Sequence, residues 1–302
     1  MHTAHAKAHQ FSIWLSRQRW LPYKARRSII KRLHPAMLKD FPFEAELFGL
    51  RFRGNIVNYI DRLVYFCGGH EKYMLRLLTL YARNAAESIG KPPNFMDVGA
   101  NAGNHTLVMS RVATQVYAFE PFARVRTQLM ENLALNRIAN VQVFDVGLSN
   151  ENATLPFYAA PDTNLGAASF QAEHKADNVY LGDLNVRRGD EVVAEAGMTV
   201  DILKADVEGY EKFVLEGLAH TLTRDRPLVI VELSPTTRKT LGSASAFHAL
   251  FPPNYAFYVF AWASNDSGRY ALWPFDYDAR PPKIQDVIAC PREKYDWLEA
   301  RA

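Results

Sequence analysis

From Asn94 to Leu233 short apolar runs take turns with stretches of helical period. Val116–Phe119 and Leu228–Leu233 are apolar almost throughout, and Asn94–Val98, Val141–Val146 and Asp201–Ala205 are mostly apolar with two polar residues each, short runs that read as strands. Asn104–Val112, Arg124–Leu135 and Glu211–Leu222 carry apolar residues three and four apart and are expected to be helices. Strands alternating with helices predict an α/β fold, a doubly wound and mostly parallel sheet covered on both faces. A polar excursion runs from Ser149 to about Met198, with Thr154–Tyr158 strand-like inside it. Beyond it, Thr236–Leu250 is expected to be helical, and Tyr255–Ala261 and Val287–Cys290 to be strands. Upstream, Phe48, Leu50 and Phe52 alternate with Gly49, Arg51 and Arg53, and Ile56–Phe66 is rich in β-formers, so Gly54-Asn55 is expected to turn between two strands. Glu71–Ile89 predicts one helix with Tyr73, Met74, Leu77, Leu78 and Tyr81 on a face, stopped by Gly90-Lys91-Pro92-Pro93. The expected organisation is an arm (1–40), an N-terminal helical and β extension or cap (41–90) and a main domain (91–302).

Composition changes this picture at one end. The chain has 302 residues, 48% of them hydrophobic, which suits a packed core and excludes disorder, collagen and coiled coil as the dominant state. Its net charge of +3 is unevenly spread. Residues 1–39 hold nine Lys/Arg and no acid, which leaves 26 basic against 32 acidic side chains from residue 40 onward. The arm also carries Phe11, Trp14, Leu15, Ile29, Ile30 and Leu33 at helical spacing. A basic amphipathic helix can dock on its own domain with a solvated face, or touch an anionic membrane or an acidic partner. Nucleic acid is the weakest of these readings, and an Arg-rich, acid-poor start also matches an organelle transit peptide. No apolar run approaches the ~18 residues of a membrane span; the longest, Tyr255–Ala263, has nine. The only cysteines, Cys67 and Cys290, give neither a disulfide framework nor a zinc spacing, and the expectation is a reducing, cytoplasmic setting, with membrane contact peripheral and through the arm.

The chemistry gathers first at Asp97-Val98-Gly99-Ala100-Asn101-Ala102-Gly103, a strand end followed by a small-residue turn. In an open α/β sheet, ligands bind beyond the carboxyl ends of the strands, where this turn lies. Gly99 and Gly103 suit close backbone approach to a ligand. Glu120 ends the next strand, where an acid can grip ribose hydroxyls. A nicotinamide dinucleotide asks for G-x-G-x-x-G and places a pyrophosphate at the helix N-terminus, which a nearby carboxylate repels. The spacing here is G-x-x-x-G, and Asp97 precedes the turn. S-adenosylmethionine carries an ammonium and a sulfonium and no phosphate, so Asp97 with Glu120 favours that cofactor. Asp145, at the end of the third strand, and Val146 are expected near its adenine.

At these residues the chain resembles the FkbM family of S-adenosylmethionine-dependent methyltransferases. The shared stretches are DVGANAGNHT (97–106), FEP (119–121), Asn132/Leu135/Asn136, VGLS (146–149), NLGAASF (164–170), LKADVEGYEKFVLEGL (203–218) and VIVEL (229–233), with a weaker echo over 49–73. The resemblance implies a Rossmann-like methyltransferase fold, Asn101 as a family mark in the turn, and Asn164, Gly166 and Ser169 in a loop that shapes the acceptor site. It also implies methyl transfer to a hydroxyl of a glycan, glycolipid or secondary metabolite.

Lys204, Asp206, Glu208 and Glu211 cluster at the end of the fourth core strand. Lys204 and Asp206 share a face, and Glu211 suits the start of a helix. An alcohol acceptor needs a general base, and Asp206, Glu208 and His105 are the leading candidates, with Glu71, in a His70-Glu71 pair that resembles the family's upstream acid, behind them. His105 is expected to be held neutral by the helix N-terminus. Asp206, Glu208 and Glu232 could hold Mg²⁺, but no His or Asn is spaced to complete the set, so no metal is expected. Methyl transfer to protein or RNA, and a degenerate fold kept for docking, are the alternatives. The acidic body argues against RNA.

Overall fold

The computed structural model describes Phe11, Trp14, Leu15, Gln18 and residues 20–32, 42–159, 170, 179–264, 267–279 and 284–298. Asn164, Gly166, Ser169 and most of the basic arm lie outside these. Within the arm, Tyr23–Arg32 forms a helix, α1.

The centre is an eight-stranded sheet. Its strands are β3 (Phe95–Val98), β4 (Val116–Phe119), β5 (Val141–Phe144), β9 (Ile202–Ala205), β10 (Leu228–Leu233), β11 (Tyr255–Ala263), β12 (Tyr270–Pro274) and β13 (Gln285–Pro291). Their order is β12-β11-β13-β10-β9-β3-β4-β5. The pairs from β5 through β10 are parallel, and β13 runs antiparallel between β10 and β11. This is the expected α/β architecture. The chain leaves β3 toward β4 and β5, then returns to the other side of β3 as β9. The β3/β9 boundary is therefore the switch point where the carboxyl ends of the strands open a crevice.

The polar excursion folds as a second, three-stranded sheet, in which β8 (Val179–Arg188) lies between β6 (Gly147–Ser149) and β7 (Ala153–Ala159). The run expected as one strand to Val146 thus stops at Phe144 and restarts in the other sheet. Glu211–Leu222 also splits, into Glu211–Gly217 and Ala219–Asp225, as Thr236–Leu250 does into Pro235–Leu241 and Ala244–His248. Gly242, at φ 79°, ends the first of the latter pair.

Two upstream expectations fail. Ile56–Phe66 supplies a helix, α2 (Tyr59–Cys67), closed by left-handed Gly68. Leu63, Val64, Phe66 and Cys67 are buried along it, so packing overrides the β propensity of the run. Asp61, also buried, fixes its start by accepting from Asn55 N, Asn58 Nδ2 and Gln128 Nε2. Gly54 is not in a turn but inside β2 (Leu50–Asn55), where a Cβ would meet Asp61, Phe43 and Phe52 at 2.9 Å. The turn is at Phe48-Gly49, between β1 (Pro42–Leu47) and β2.

This hairpin docks on the helix Ala123–Leu135 through two asparagines one turn apart. Asn132 Oδ1 accepts from Arg53 N, and its Nδ2 donates to Arg53 O and Ala102 O. Asn136 makes the same reciprocal pair with Arg51. The two amides satisfy one edge of β2 as a neighbouring strand would. Helix α3 (Lys72–Ile89) buries Met74, Leu77, Leu78 and Tyr81 against Phe95, Ile202, Leu228 and Ile288 of the sheet. Residues 42–89 therefore share the core of the main sheet.

Candidate active site

The glycine turn is locked by backbone contacts. Gly99 N and Ala100 N both donate to Phe119 O. Gly99 has φ 82°, and a Cβ there would lie 2.0 Å from Asp206 O. At Gly103, φ 97°, it would lie 2.7 Å from Leu129 Cδ1. Both glycines are thus required by the protein's own packing, where the sequence suggested room for a ligand. Asn101 sits between them at φ 50° and steadies that conformation by accepting from Ala102 N with its side chain.

Glu120 closes the turn from the neighbouring strand. Its carboxylate accepts from Asn101 N at 3.1 Å and Phe122 N at 2.9 Å. Burial pushes its pKa up to about 7, against the pull of those two amides and of Arg126. It borders a cavity of about 60 Å³ walled by Gly99, Asn101, Phe122, Phe157, Phe170 and Tyr210, with Asp206 and Glu208 at its edge. Phe170 stands 5.0 Å from Phe157 and 5.3 Å from Tyr210, centroid to centroid. The composition suits a ribose and a flat heterocycle, but pockets for such ligands start near ~300 Å³. The aromatic wall has to part to admit one.

The other predicted residues divide. Gly147 and Leu148 border this cavity, whereas Asp145 and Val146 border a separate depression with Asn185 and Arg187. Asp97 is fully buried and does not face the cavity; its Oδ2 accepts from Thr106 Oγ1 at 2.6 Å. Glu211 is a structural tie: buried, it accepts from Val207 N and Gly209 N, and from Thr237 Oγ1 at 2.7 Å. Those bonds hold the turn in which Glu208 takes a left-handed φ of 53°.

Asp97 belongs instead to an ionic rim beyond the strand ends. It is in register with Lys204 across the β3/β9 pair, and Lys204 Nζ is 2.9 Å from Asp206 Oδ2. Burial draws the lysine's pKa down, but Asp206, Asp97 and Glu71 outweigh it and hold it raised. Burial acts against ionisation of Asp206 too, yet Lys204 keeps that carboxyl below its usual range. On the next strands Glu232 pairs in register with Asp286. Both are pushed up, first by burial and then by neighbouring acids, Asp206 among them.

Glu71 enters the rim from the N-cap of α3, in a left-handed conformation, φ 47°. Its carboxylate lies 3.5 Å from His105 Nε2 and 3.5 Å from His70 Nε2. Burial raises it to about 7, with Lys204 opposing and Asp206 adding to the rise. His105 is driven well below its ordinary value by burial first, then by Lys204 and His70. It is neutral, as the sequence suggested, although burial rather than the helix end is the leading cause.

Sequence reasoning missed Thr106, Tyr73 and Asp286. Tyr73 Oη donates to Asp286 at 3.3 Å. No sequence signal pointed to Asp286: it reaches the ligand rim because its strand runs antiparallel and starts, rather than ends, there. Among the described residues no group of three or more His, Cys, Asp or Glu is arranged to hold a metal ion.

A family model described as the methyltransferase FkbM domain matches residues 97–252. The chain belongs to this family. As an FkbM methyltransferase it is 30% identical over 203 residues to Methyltransferase 1 of Beauveria bassiana, covering 59% of this chain and 78% of that one. It is 27% identical over 189 residues to 2-O-methyltransferase NoeI of Sinorhizobium fredii, covering 57% and 76%. With the hexuronic acid methyltransferase AglP of Haloferax volcanii it shares 31% over 138 residues, 45% of this chain and 54% of that one. A crystal structure of methyltransferase FkbM from Methylobacillus flagellatus covers 65% of this chain and 43% of its own, at 16% identity and a TM-score of 0.43. The motif residues of the turn and the Lys204–Glu211 segment all fall inside the matched span.

Proposed function

We propose that the protein transfers a methyl group from S-adenosylmethionine to a hydroxyl oxygen of a glycan, glycolipid or secondary metabolite. The observation that carries this reading is Glu120, a buried carboxylate at the edge of an aromatic cavity next to the glycine turn. The donor set fits the cofactor: an acid for the ribose, flat side chains for the adenine, and the carboxylates Asp206 and Glu208 lining the cavity near the charged end. When bound, S-adenosylmethionine supplies a methyl group already activated by its positive sulfur.

The chain's own tasks are alignment, exclusion of water and removal of one proton. Glu120 orients the ribose. Asp206, ionised beside Lys204, sets negative charge at the cavity edge, and Glu208 shares that edge. Glu71, raised by burial to about 7 and 3.5 Å from neutral His105, is the proton acceptor best matched to neutral pH, because a base works best when its pKa lies near the operating pH. The relatives' names support the acceptor class, 2-O-methylation for one and a hexuronic acid for another.

Calorimetry tests the cofactor assignment. Wild-type protein should bind S-adenosylmethionine, and Glu120→Ala should weaken that binding by about 1.5–3 kcal/mol, the range for a hydrogen bond to a charged group. Equal binding by the variant, or selective binding of NADH by the wild type, would overturn the reading.

A further inference from the structure

A second cavity lies away from the aromatic cleft. It is a trough of about 740 Å³ between α1, the β1–β2 hairpin and α3. Its cations are Arg26, Lys72, Arg76 and Arg83, against a single acid, Glu46. Its accessible floor is apolar, with Phe48, 43% exposed, and half-buried Tyr65 and Leu80, over buried Val64, Phe66 and Leu75. Arg26 is 3% exposed, so a guanidinium from the arm helix is embedded in the wall. Arg76 and Leu80 also border a second depression of about 360 Å³, together with Trp262, Arg269 and Leu272. The two hollows thus adjoin at Arg76 and Leu80 of α3. Trp262 is 55% exposed beside them, and Phe11, Trp14 and Trp20 of the arm are also exposed.

We infer that this surface binds an anionic phospholipid, its phosphate held by the arginines and its acyl stem laid on the apolar floor. Three observations converge. The lining is cationic in a body that is otherwise acidic from residue 40 onward. Arginine forks match phosphate oxygens in pairs. An exposed tryptophan, Trp262, beside Arg76 and Arg269 suits the headgroup level of a bilayer. A free phosphate would satisfy the cations but leave the floor in water. A nucleic acid would need a basic track longer than this trough, and the body from residue 40 onward is acidic overall. The inference is independent of the methyl-transfer reading. Lys72 directly follows Glu71, however, so one end of the trough abuts the ionic rim.

Vesicle sedimentation of the full chain tests it, with phosphatidylcholine vesicles compared with vesicles that also contain phosphatidylglycerol. Wild-type protein should bind only the anionic vesicles. Arg76→Gln/Arg83→Gln should bind them on the order of 30-fold more weakly, at about five-fold per basic residue removed, with S-adenosylmethionine binding and melting temperature unchanged. Arg76→Lys/Arg83→Lys should retain most of the binding, which separates loss of charge from loss of fold. Undiminished binding by the glutamine pair, equal binding of neutral vesicles, or full displacement by inorganic phosphate would overturn the inference. Binding of an oligoribonucleotide in place of vesicles would overturn it too.

Discussion

The two sides of the crevice handle buried acids in opposite ways. On the glycine-turn side one carboxylate, Glu120, is held by two backbone amides and stands at a cavity. On the rim side, Asp97, Asp206, Glu71 and Asp286 interact with Lys204, and Glu232 adds its charge beside Asp206 and Asp286. Backbone donors are fixed by local chain geometry and cost little to aim. A buried ion cluster depends on elements far apart in sequence, and each charge removed from water must be matched by another. The turn side is therefore robust and easily altered, whereas the rim is costly and intolerant of a single loss.

Lys204→Met should break this contrast most strongly. It leaves buried Asp97 without its counter-charge and strips Asp206, a third exposed, of its partner, and should cost about 3 kcal/mol of stability, the low end for breaking a buried pair by removing one partner, because water screens Asp206. Denaturant unfolding measures it. A variant as stable as the wild type would mean that the rim is not an electrostatic unit.

Asn132→Ala probes the turn side. It removes hydrogen bonds to Arg53 and to Ala102 O within the turn, leaves those groups unsatisfied, and should cost about 1–3 kcal/mol. Hydrogen exchange should show the hairpin amides opening first. Uniform loss of protection across the sheet would argue that the asparagine holds the whole core rather than the hairpin.

A change of pH probes Glu120 without altering any other contact of the turn. Glu120 titrates near pH 7 when folded, against an ordinary carboxylate value of 4.5. The native state therefore binds more protons than the unfolded state between those values. Glu120's contribution is complete below about pH 4.5 and is lost as pH rises toward and through 7. One proton gives a slope of at most about 1.4 kcal/mol per pH unit. Glu120→Gln should flatten that part of the stability profile, read from melting at successive pH values. A profile parallel to the wild type's would show that Glu120 is already ionised at pH 5.

The alternation of apolar runs and helical stretches carried the parallel sheet, because strands buried on both faces must be mostly apolar and their connections must be amphipathic. It did not carry the hairpin turn or helix Tyr59–Cys67. There Gly54 and a β-rich run have local preferences that packing against Phe43 and Asp61 reverses. Glu120 and the glycine turn were legible since their partners are neighbours along the chain or on the next strand.

The sequence by itself determined the fold class, the position of the turn and the acid-rich character of the site. These follow from local periodicity and from chemistry spaced within about twenty residues. Only the tertiary structure decided that Asp97 faces Thr106 and Lys204 instead of the cavity. It alone brought Glu71 to His105, and Asp286 to the rim by way of an antiparallel last strand. Side-chain orientation, burial and long-range charge pairing depend on which distant elements become neighbours, and no short window of sequence contains that information.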